Sequence, residues 1–288
     1  MFEYVFEFWW MLPVAFCVCL MATSSSVEGA VFFSPIFILL FPLIAGVNIS
    51  PIEAVFLALS IEVFGFGSAL LGYLQRRLVD VSIAKRVLVV SIPVAMGFGL
   101  LAHRVPSHMI MGLLGVMMVL LSGAVLVTYL KGGRNGQEGS AGEGPPNRVD
   151  ALGRSYWYTY NHGPLGVAWS ALGGVLVGFT GIGIGELTTT NLIARHRLPV
   201  RVAVGTGILI VFATVLPATL VHAYVFSTGE TSVHWNVLFM TIPAVAFGGQ
   251  VSPFINNRVD GEKMKLFLAF VFIFVGSLLL WRALSNNA

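Results

Sequence analysis

Charged residues are scarce in this 288-residue chain: Asp, Glu, Lys and Arg make up 10% of it, whereas 57% of the residues are hydrophobic. Soluble domains carry roughly 25% charged residues. The deficit excludes a soluble domain of ordinary size, and the apolar runs along nearly the whole length predict an all-α integral membrane protein. The net charge of +3 does not indicate nucleic acid, because Lys and Arg cluster in a few loops, where they report membrane orientation.

Cysteine is also nearly absent. Cys17 and Cys19 are the only two, and they lie within one apolar run on different sides of a helix. They are interpreted as small core residues, so neither a disulfide nor a metal site is predicted. The N-terminus carries Glu3 and Glu7 and no Lys or Arg, unlike a signal peptide. The first apolar run is therefore expected to remain in the mature protein.

Two polar stretches interrupt apolar runs that are each too short to cross a bilayer comfortably. One is Ser24–Gly29, and the other is the glycine-rich stretch Gly181–Asn191. A membrane helix breaks at depth where backbone N–H groups and polar side chains line a solute site. Each interruption is interpreted as the turn of a hairpin of short helices, although two short full crossings are the alternative.

The chain divides into two membrane segments joined by a linker. Residues 1–130 form the first segment, and residues 155–288 form the second. Residues 131–154, which are rich in Gly, Ser, Pro and Glu, are expected to be a flexible cytoplasmic linker. Each membrane segment is predicted to contain one hairpin followed by three spanning helices.

The two segments look like repeats of opposite orientation. The stretch Ser91–Gly99 is similar to Thr241–Gly249. The long helix after Pro51 ends in a basic loop, whereas the corresponding helix begins in a basic loop near Arg201. Corresponding helices therefore run in opposite directions, which predicts two inverted repeats with the site near the bilayer midplane. This arrangement also places both termini outside.

One stretch carries a family resemblance. Residues Gly178–Gly207, and above all Leu198–Gly207 (LPVRVAVGTG), resemble the TauE/SafE sulfite exporter family, also called the toluenesulfonate uptake permease family. The two-repeat layout extends the resemblance over most of the chain. Ser24–Gly29 departs from it, since the family usually has a glycine run there. The resemblance implies transport of small sulfur-containing anions such as sulfite or organosulfonates.

Free N–H groups at two helix N-termini, together with hydroxyl donors, suit a small oxyanion. Close helix packing through small residues is the structural alternative for the same set. The candidate substrate-binding residues are Ser24, Ser25, Ser26, Gly181, Gly183, Gly185, Thr188, Thr189, Thr190 and Asn191.

Three glutamates are candidates for proton coupling: Glu28, Glu186 and Glu62. Placing a carboxylate at membrane depth costs about 2.5–3.5 kcal/mol on insertion scales, so such a residue is expected to have a functional or structural role. For Glu28 and Glu186, the alternative is that each only caps its short helix. Glu62, in the middle of a span, could serve a proton path or be structural.

Histidines are weaker candidates. His222 lies late in a predicted span and is interpreted as a hydrogen-bonded interfacial histidine rather than part of a proton path. His103, Arg104 and His108 share a turn, but their spacing does not favour a metal site.

These features predict a secondary transporter of the inner membrane with a proton-coupled, alternating-access mechanism. The rival functions are an anion channel, an intramembrane enzyme and a membrane scaffold without transport activity. The enzyme is disfavoured because no hydrolase or metalloprotease motif is found. No cofactor is predicted; the expected partners are a small anionic substrate, protons and the lipid bilayer, and a homo-oligomer is allowed.

Overall fold

The computed structural model describes residues 6–130, 146–161, 163–229, 233–255 and 261–285. In these ranges the regular secondary structure is helical apart from one small β-hairpin. The helices of the first half are α1 (Met11–Ser25), α2 (Ala30–Pro35), a π-helical turn (Ile36–Leu40), α3 (Phe41–Ile44), α4 (Pro51–Gln75), α5 (Val81–Ala102) and α6 (Ser107–Leu130). After strands β1 (Arg148–Val149) and β2 (Ser155–Tyr156) follow α7 (Pro164–Thr180), α8 (Ile184–Ala194), α9 (Val200–Thr228), α10 (Asn236–Ile255) and α11 (Gly261–Ser285).

Within the described ranges, three helices are long and apolar enough to cross a membrane: α4, α5 and α9. Shorter apolar helices occupy most of the remaining described sequence, including Pro164–Thr180 and Asn236–Ser252. The multi-helix, predominantly apolar architecture agrees with the all-α membrane protein that the composition predicts.

Local capping explains where the spanning helices begin. The Ser50 hydroxyl accepts the Glu53 N–H at 3.3 Å, and Pro51 occupies the first turn of α4. The Asp80 carboxylate accepts the N–H groups of Ser82 and Ile83, which starts α5 at Val81. The helix therefore begins before the apolar run that starts at Val87, and it continues through the charged residues Lys85 and Arg86.

The second apolar run is irregular. Pro35 ends α2, and the π-helical turn leads into α3, which contains Pro42. Proline lacks the N–H that a regular α-helix would supply to the carbonyl of Ile38 four residues earlier. Instead, Arg282 on α11 donates its Nη1–H to the Ile38 carbonyl at 2.9 Å. A distant helix therefore contributes to the hydrogen bonding of this broken segment.

The major helix contacts match one another when the helices of one half are exchanged with those of the other half. α5 packs against α7, and α10 packs against α1; α5 also packs against α9, and α10 against α4. The remaining major pairs are α6 with α11 and α4 with α9. Very close approaches occur at glycines: a Cβ on Gly174 of α7 would lie 2.7 Å from the Ser91 carbonyl of α5.

Part of the predicted linker is ordered. Residues 131–145 lie outside the described part of the chain, but β1 and β2 pair as an antiparallel hairpin over residues 148–156. The Asp150 carboxylate accepts hydrogen bonds from the Arg154 guanidinium at 2.7 Å and the Tyr156 hydroxyl at 3.1 Å. The Tyr158 hydroxyl reaches Asp80 at 2.6 Å. The hairpin is thereby fastened to the loop between α4 and α5.

Candidate transport site

Both polar stretches contain a helix break. α1 is followed by Ser26, which adopts a left-handed conformation with φ of 58°, and α2 begins after Gly29. α7 is followed by Gly181 with φ of 73°, and α8 begins after Gly183 with φ of 126°. Glycine suits the second break because L side chains are strained at these φ values. Two helix N-termini, those of α2 and α8, therefore open at these breaks.

The two breaks contact each other through glutamates exchanged between the halves. The Glu28 carboxylate accepts the N–H of Gly183 on one oxygen and the N–H of Gly185 on the other, both at 2.8 Å. In return, Glu186 Oε1 accepts the N–H of Glu28 at 3.1 Å. Glu28 thus caps α8 of the opposite half, and Glu186 bonds the backbone just before α2. In the structural alternative left open by the sequence, each glutamate would only cap its own short helix.

Glu62 on α4 joins Glu28 and Glu186 in a group of three neighbouring carboxyls, the carboxyl cluster. Its Oε1 accepts the N–H of Gly29 at 3.2 Å, and its side chain is 2% exposed. The second oxygens of Glu62 and Glu186 are buried, and no described residue meets hydrogen-bond geometry with either of them. The three carboxyl groups interact electrostatically with one another. The ion pairs among the described residues, Asp150–Arg154 and Glu53–His234, lie outside this cluster.

Hydroxyl groups lie beside the carboxyl cluster. The Thr189 hydroxyl donates to the Ser26 hydroxyl at 3.1 Å, so these two predicted binding residues meet across the breaks. Gly207 of α9 lies against both: an added Cβ would be 2.5 Å from Ser26 Oγ and closer still to Thr189 Oγ1. The family-like stretch Leu198–Gly207 therefore ends at the site.

The other predicted binding residues are more dispersed. Ser24 donates to the Met21 carbonyl of its own helix, and the side chain of Ser25 lies outside the described part of the chain. Gly181 is buried, and an added Cβ there would contact Leu59 and Ala30. Thr188 is buried, Asn191 is half-buried and Thr190 is exposed.

The structure also pairs two histidines that the sequence did not connect. His103, just after α5, and His222 on α9 share a hydrogen bond of 2.9 Å between Nε2 and Nδ1. His222 Nε2 lies 3.3 Å from the Gly178 carbonyl, which cannot donate, so this nitrogen carries the proton. No spacing rule would have revealed a pair separated by 119 residues.

Within the described ranges, no group of three or more His, Cys, Asp or Glu side chains could hold a metal ion. A surface cleft lies beside the β-hairpin, where Arg77, Val79 and Arg148 contribute to its lining. None of the three clustered glutamates lines this cleft. The chemistry available at the junction of the breaks is therefore carboxyl, hydroxyl and backbone N–H chemistry.

Comparison with known proteins agrees with the sequence resemblance. Residues 10–279 match the family described as sulfite exporter TauE/SafE. The chain is also similar to a protein named probable membrane transporter protein YunE from Bacillus subtilis (strain 168), with 26% identity over 135 residues. That alignment covers 47% of each chain, so the similarity spans about half the length of the relative. No solved structure matches the chain. The family match covers nearly the whole sequence and confirms the resemblance: the chain belongs to the TauE/SafE family of membrane transporters.

Proposed function

We propose that this protein is a secondary transporter of a small sulfur-containing oxyanion, such as sulfite or an organosulfonate. The substrate site lies where the two helix breaks meet. The observation that carries the proposal is the exchange of Glu28 and Glu186 between the breaks, with Glu62 beside them. Glu28 and Glu62 are buried and Glu186 is half-buried, and carboxyls within membrane segments mark ion or proton pathways.

An inverted-repeat arrangement accounts for the reciprocal packing. Exchanging α1 with α7, α4 with α9, α5 with α10 and α6 with α11 maps each major contacting pair onto another major pair or onto itself. Inverted-repeat transporters place their sites at broken helices between the repeats, and the repeats then rock against each other. The packing and the position of the two breaks support this mechanism here, with residues 1–130 and 155–288 as the two repeats.

The residues of the site divide into donors and proton carriers. Gly183 and Gly185 offer N–H groups at the N-terminus of α8, where the helix dipole favours an anion. Ser26 and Thr189 offer hydroxyl groups next to them. Glu28, Glu62 and Glu186 carry protons as the site alternates between the two sides of the membrane.

The rival functions make different demands on these residues. A scaffold would need neither the buried second oxygens of Glu62 and Glu186 nor anion donors at two matched breaks. A channel shares the local features, but it would pass the anion only down its gradient. The family name, sulfite exporter, favours transport of a sulfur anion over both.

The experiment that tests the proposal is ligand-dependent thermal stabilisation of the purified protein. The panel contains sulfite, thiosulfate, sulfate, sulfoacetate and taurine, with chloride as the control. A ligand present at 100 times its Kd adds about 2.7 kcal/mol to the free energy of unfolding. Stabilisation by one sulfur anion is expected in the wild type and is expected to be lost in Thr189→Val.

The matched control is Thr219→Val. Thr219 is a buried threonine whose hydroxyl bonds the Val215 carbonyl of its own helix, so this variant should keep the stabilisation. Folded wild-type protein that no sulfur anion stabilises would contradict the proposal.

A further inference from the structure

The backbone donors best suited to a substrate oxyanion already hold a carboxyl group that belongs to the protein. The N–H groups of Gly183 and Gly185 each donate to one oxygen of Glu28, both at 2.8 Å. Two N–H groups that bind the two oxygens on one carboxyl carbon can bind two oxygens on one sulfur atom in the same way. The side chain is fully buried, so no bulk water competes for these donors.

We propose that Glu28 is an internal competitor for the substrate: its carboxylate and the transported oxyanion occupy the same two N–H groups in turn. This inference rests on the proposed function and specifies how substrate binding is coupled to a proton. The ligand class is a monoanion with two oxygens on one central atom, as in hydrogen sulfite and sulfonates. Chloride lacks this pair of oxygens.

The exchange requires a proton. If the anion entered while Glu28 stayed ionised, two negative charges would share a buried site, which is strongly unfavourable. When Glu28 takes up one proton from the water on the side of entry, its carboxylate becomes a neutral carboxylic acid and the anion takes its place. The charge of the site is the same before and after, so one proton accompanies each anion.

The neighbouring carboxyls can receive the displaced side chain. A protonated Glu28 becomes a hydrogen-bond donor and needs an acceptor. Among the described residues the second oxygen of Glu62 is buried and without a partner, and the Glu186 side chain lies within direct reach of the Glu28 carboxyl. The structure therefore places two carboxyl groups where they can accept a hydrogen bond from the displaced Glu28.

The titratable groups that face Glu28 come from two other elements. Glu186 lies on α8 and Glu62 on α4, and Glu62 in turn faces Cys19 on α1. α9 contributes Val211 near Gly185. Any pH dependence of anion binding at this site must therefore arise from one of three carboxyl groups or one thiol. Substituting each of these residues in turn identifies the group that titrates.

The test compares anion affinity in the wild type and in Glu28→Gln, with sulfite and methanesulfonate as probes. The amide keeps the shape of the side chain but carries no charge, and hydrogen bonds to a charged group are roughly twice as strong as neutral ones. We expect Glu28→Gln to bind either anion about tenfold or more tightly than the wild type at pH 7.5. A merely structural cap would leave affinity unchanged or weaken it.

The second readout is proton uptake. Methanesulfonate does not titrate between pH 6 and 8, so its affinity reports the protein alone. Wild-type Kd is expected to rise by about tenfold per pH unit where free Glu28 is ionised, with about one proton taken up per anion. Glu28→Gln is expected to show neither effect. The wild-type pH slope tests the inference even if the variant fails to fold.

Glu53→Gln is the matched control, because Glu53 is another buried glutamate near a helix start, bonded to His234. This variant should leave anion affinity and proton uptake unchanged. Wild-type binding without proton uptake, or Glu28→Gln binding no more tightly than the wild type, would overturn the competitor role and leave the transport proposal standing. Absence of any binding to folded wild type would overturn both.

Discussion

At the scale of single residues, the site depends on how closely backbone and hydroxyl groups approach one another. Ser26 and Thr189 share a hydrogen bond, and both hydroxyl groups lie against Gly207 of α9. The candidates Glu28, Glu186, Ser26 and Thr189 could be found from the sequence because polar residues in short apolar runs are conspicuous. Their partners could not be found, since contacts between residues more than 150 positions apart follow from helix packing and not from local pattern.

Gly207→Ala should damage the site directly. The new methyl group would overlap Ser26 Oγ and Thr189 Oγ1, and overpacking of this kind costs roughly 1–3 kcal/mol of stability. We expect a lower unfolding temperature and loss of stabilisation by sulfite. Gly97→Ala is the control, because its Cβ would contact nothing within 4 Å. Normal sulfite binding by Gly207→Ala would show that the contact is unimportant.

The stability of the β-hairpin is expected to depend on pH through Asp150. Burial raises the pKa of Asp150, but hydrogen bonds from Arg154, Leu152 and Tyr156 outweigh burial and place the pKa below its usual value. A lowered pKa stabilises the folded form fully above about pH 4, the unfolded value, and this contribution is lost as the pH falls through the folded pKa.

Hydrogen exchange of residues 148–156 measures this effect. In the wild type, the protection factor, which is the intrinsic exchange rate at the same pH divided by the measured rate, should fall below about pH 4. In Asp150→Asn, the protection factor should already be low at pH 7, with an expected cost of about 1 kcal/mol or more, and should change little on acidification. Equal protection of the two proteins at pH 7 would argue against a stabilising carboxylate.

At the scale of elements, the segment from Ala30 to Ile44 shows why helix breaks are hard to place from sequence. Two prolines, Pro35 and Pro42, lie within this apolar run, and the structure contains a π-helical turn between them. The sequence could not indicate that Arg282, on the last helix, bonds the Ile38 carbonyl. From the neighbouring sequence alone, an arginine in the last turn of a terminal helix is interpreted as an anchor at the membrane interface.

A double-mutant cycle tests this contact. Arg282→Met removes the donor to a carbonyl that Pro42 cannot serve, and a loss of about 1–3 kcal/mol is expected for an unsatisfied buried group. Pro42→Ala restores a backbone N–H four residues after Ile38, so it should offset part of the loss in the double variant. Denaturation in detergent measures all four proteins. Strictly additive effects would show that the arginine and the proline act independently.

At the scale of the whole molecule, the reciprocal contacts of the two halves follow the order of their helices. The all-α membrane class followed from composition, and the two-segment layout was predicted from the similarity of Ser91–Gly99 to Thr241–Gly249. These stretches lie in α5 and α10, which pack against α7 and α1 respectively. Composition could not reveal the ordered hairpin at 148–156, because its stability comes from Asp150 and from Tyr158 bonding Asp80.

Membrane orientation is a prediction at this scale. Basic loops predict that the linker is cytoplasmic, and an odd number of crossings per repeat places both termini outside. Green fluorescent protein inserted after Gly139 should fluoresce, and alkaline phosphatase fused after Ala288 should be active. The reverse result at the C-terminus would exclude the inverted arrangement. Transport activity of each fusion provides the control for correct insertion.

The most direct test of the central claim is sulfite uptake into proteoliposomes under an imposed pH gradient. Uptake into protein-free liposomes under the same gradient is subtracted, since the neutral form of sulfite crosses lipid unaided. Proton-coupled transport should produce accumulation above the external concentration, abolished by a protonophore and by Glu186→Gln. Uptake that only equalises the two concentrations, whatever the pH gradient, would contradict coupled transport and favour a channel.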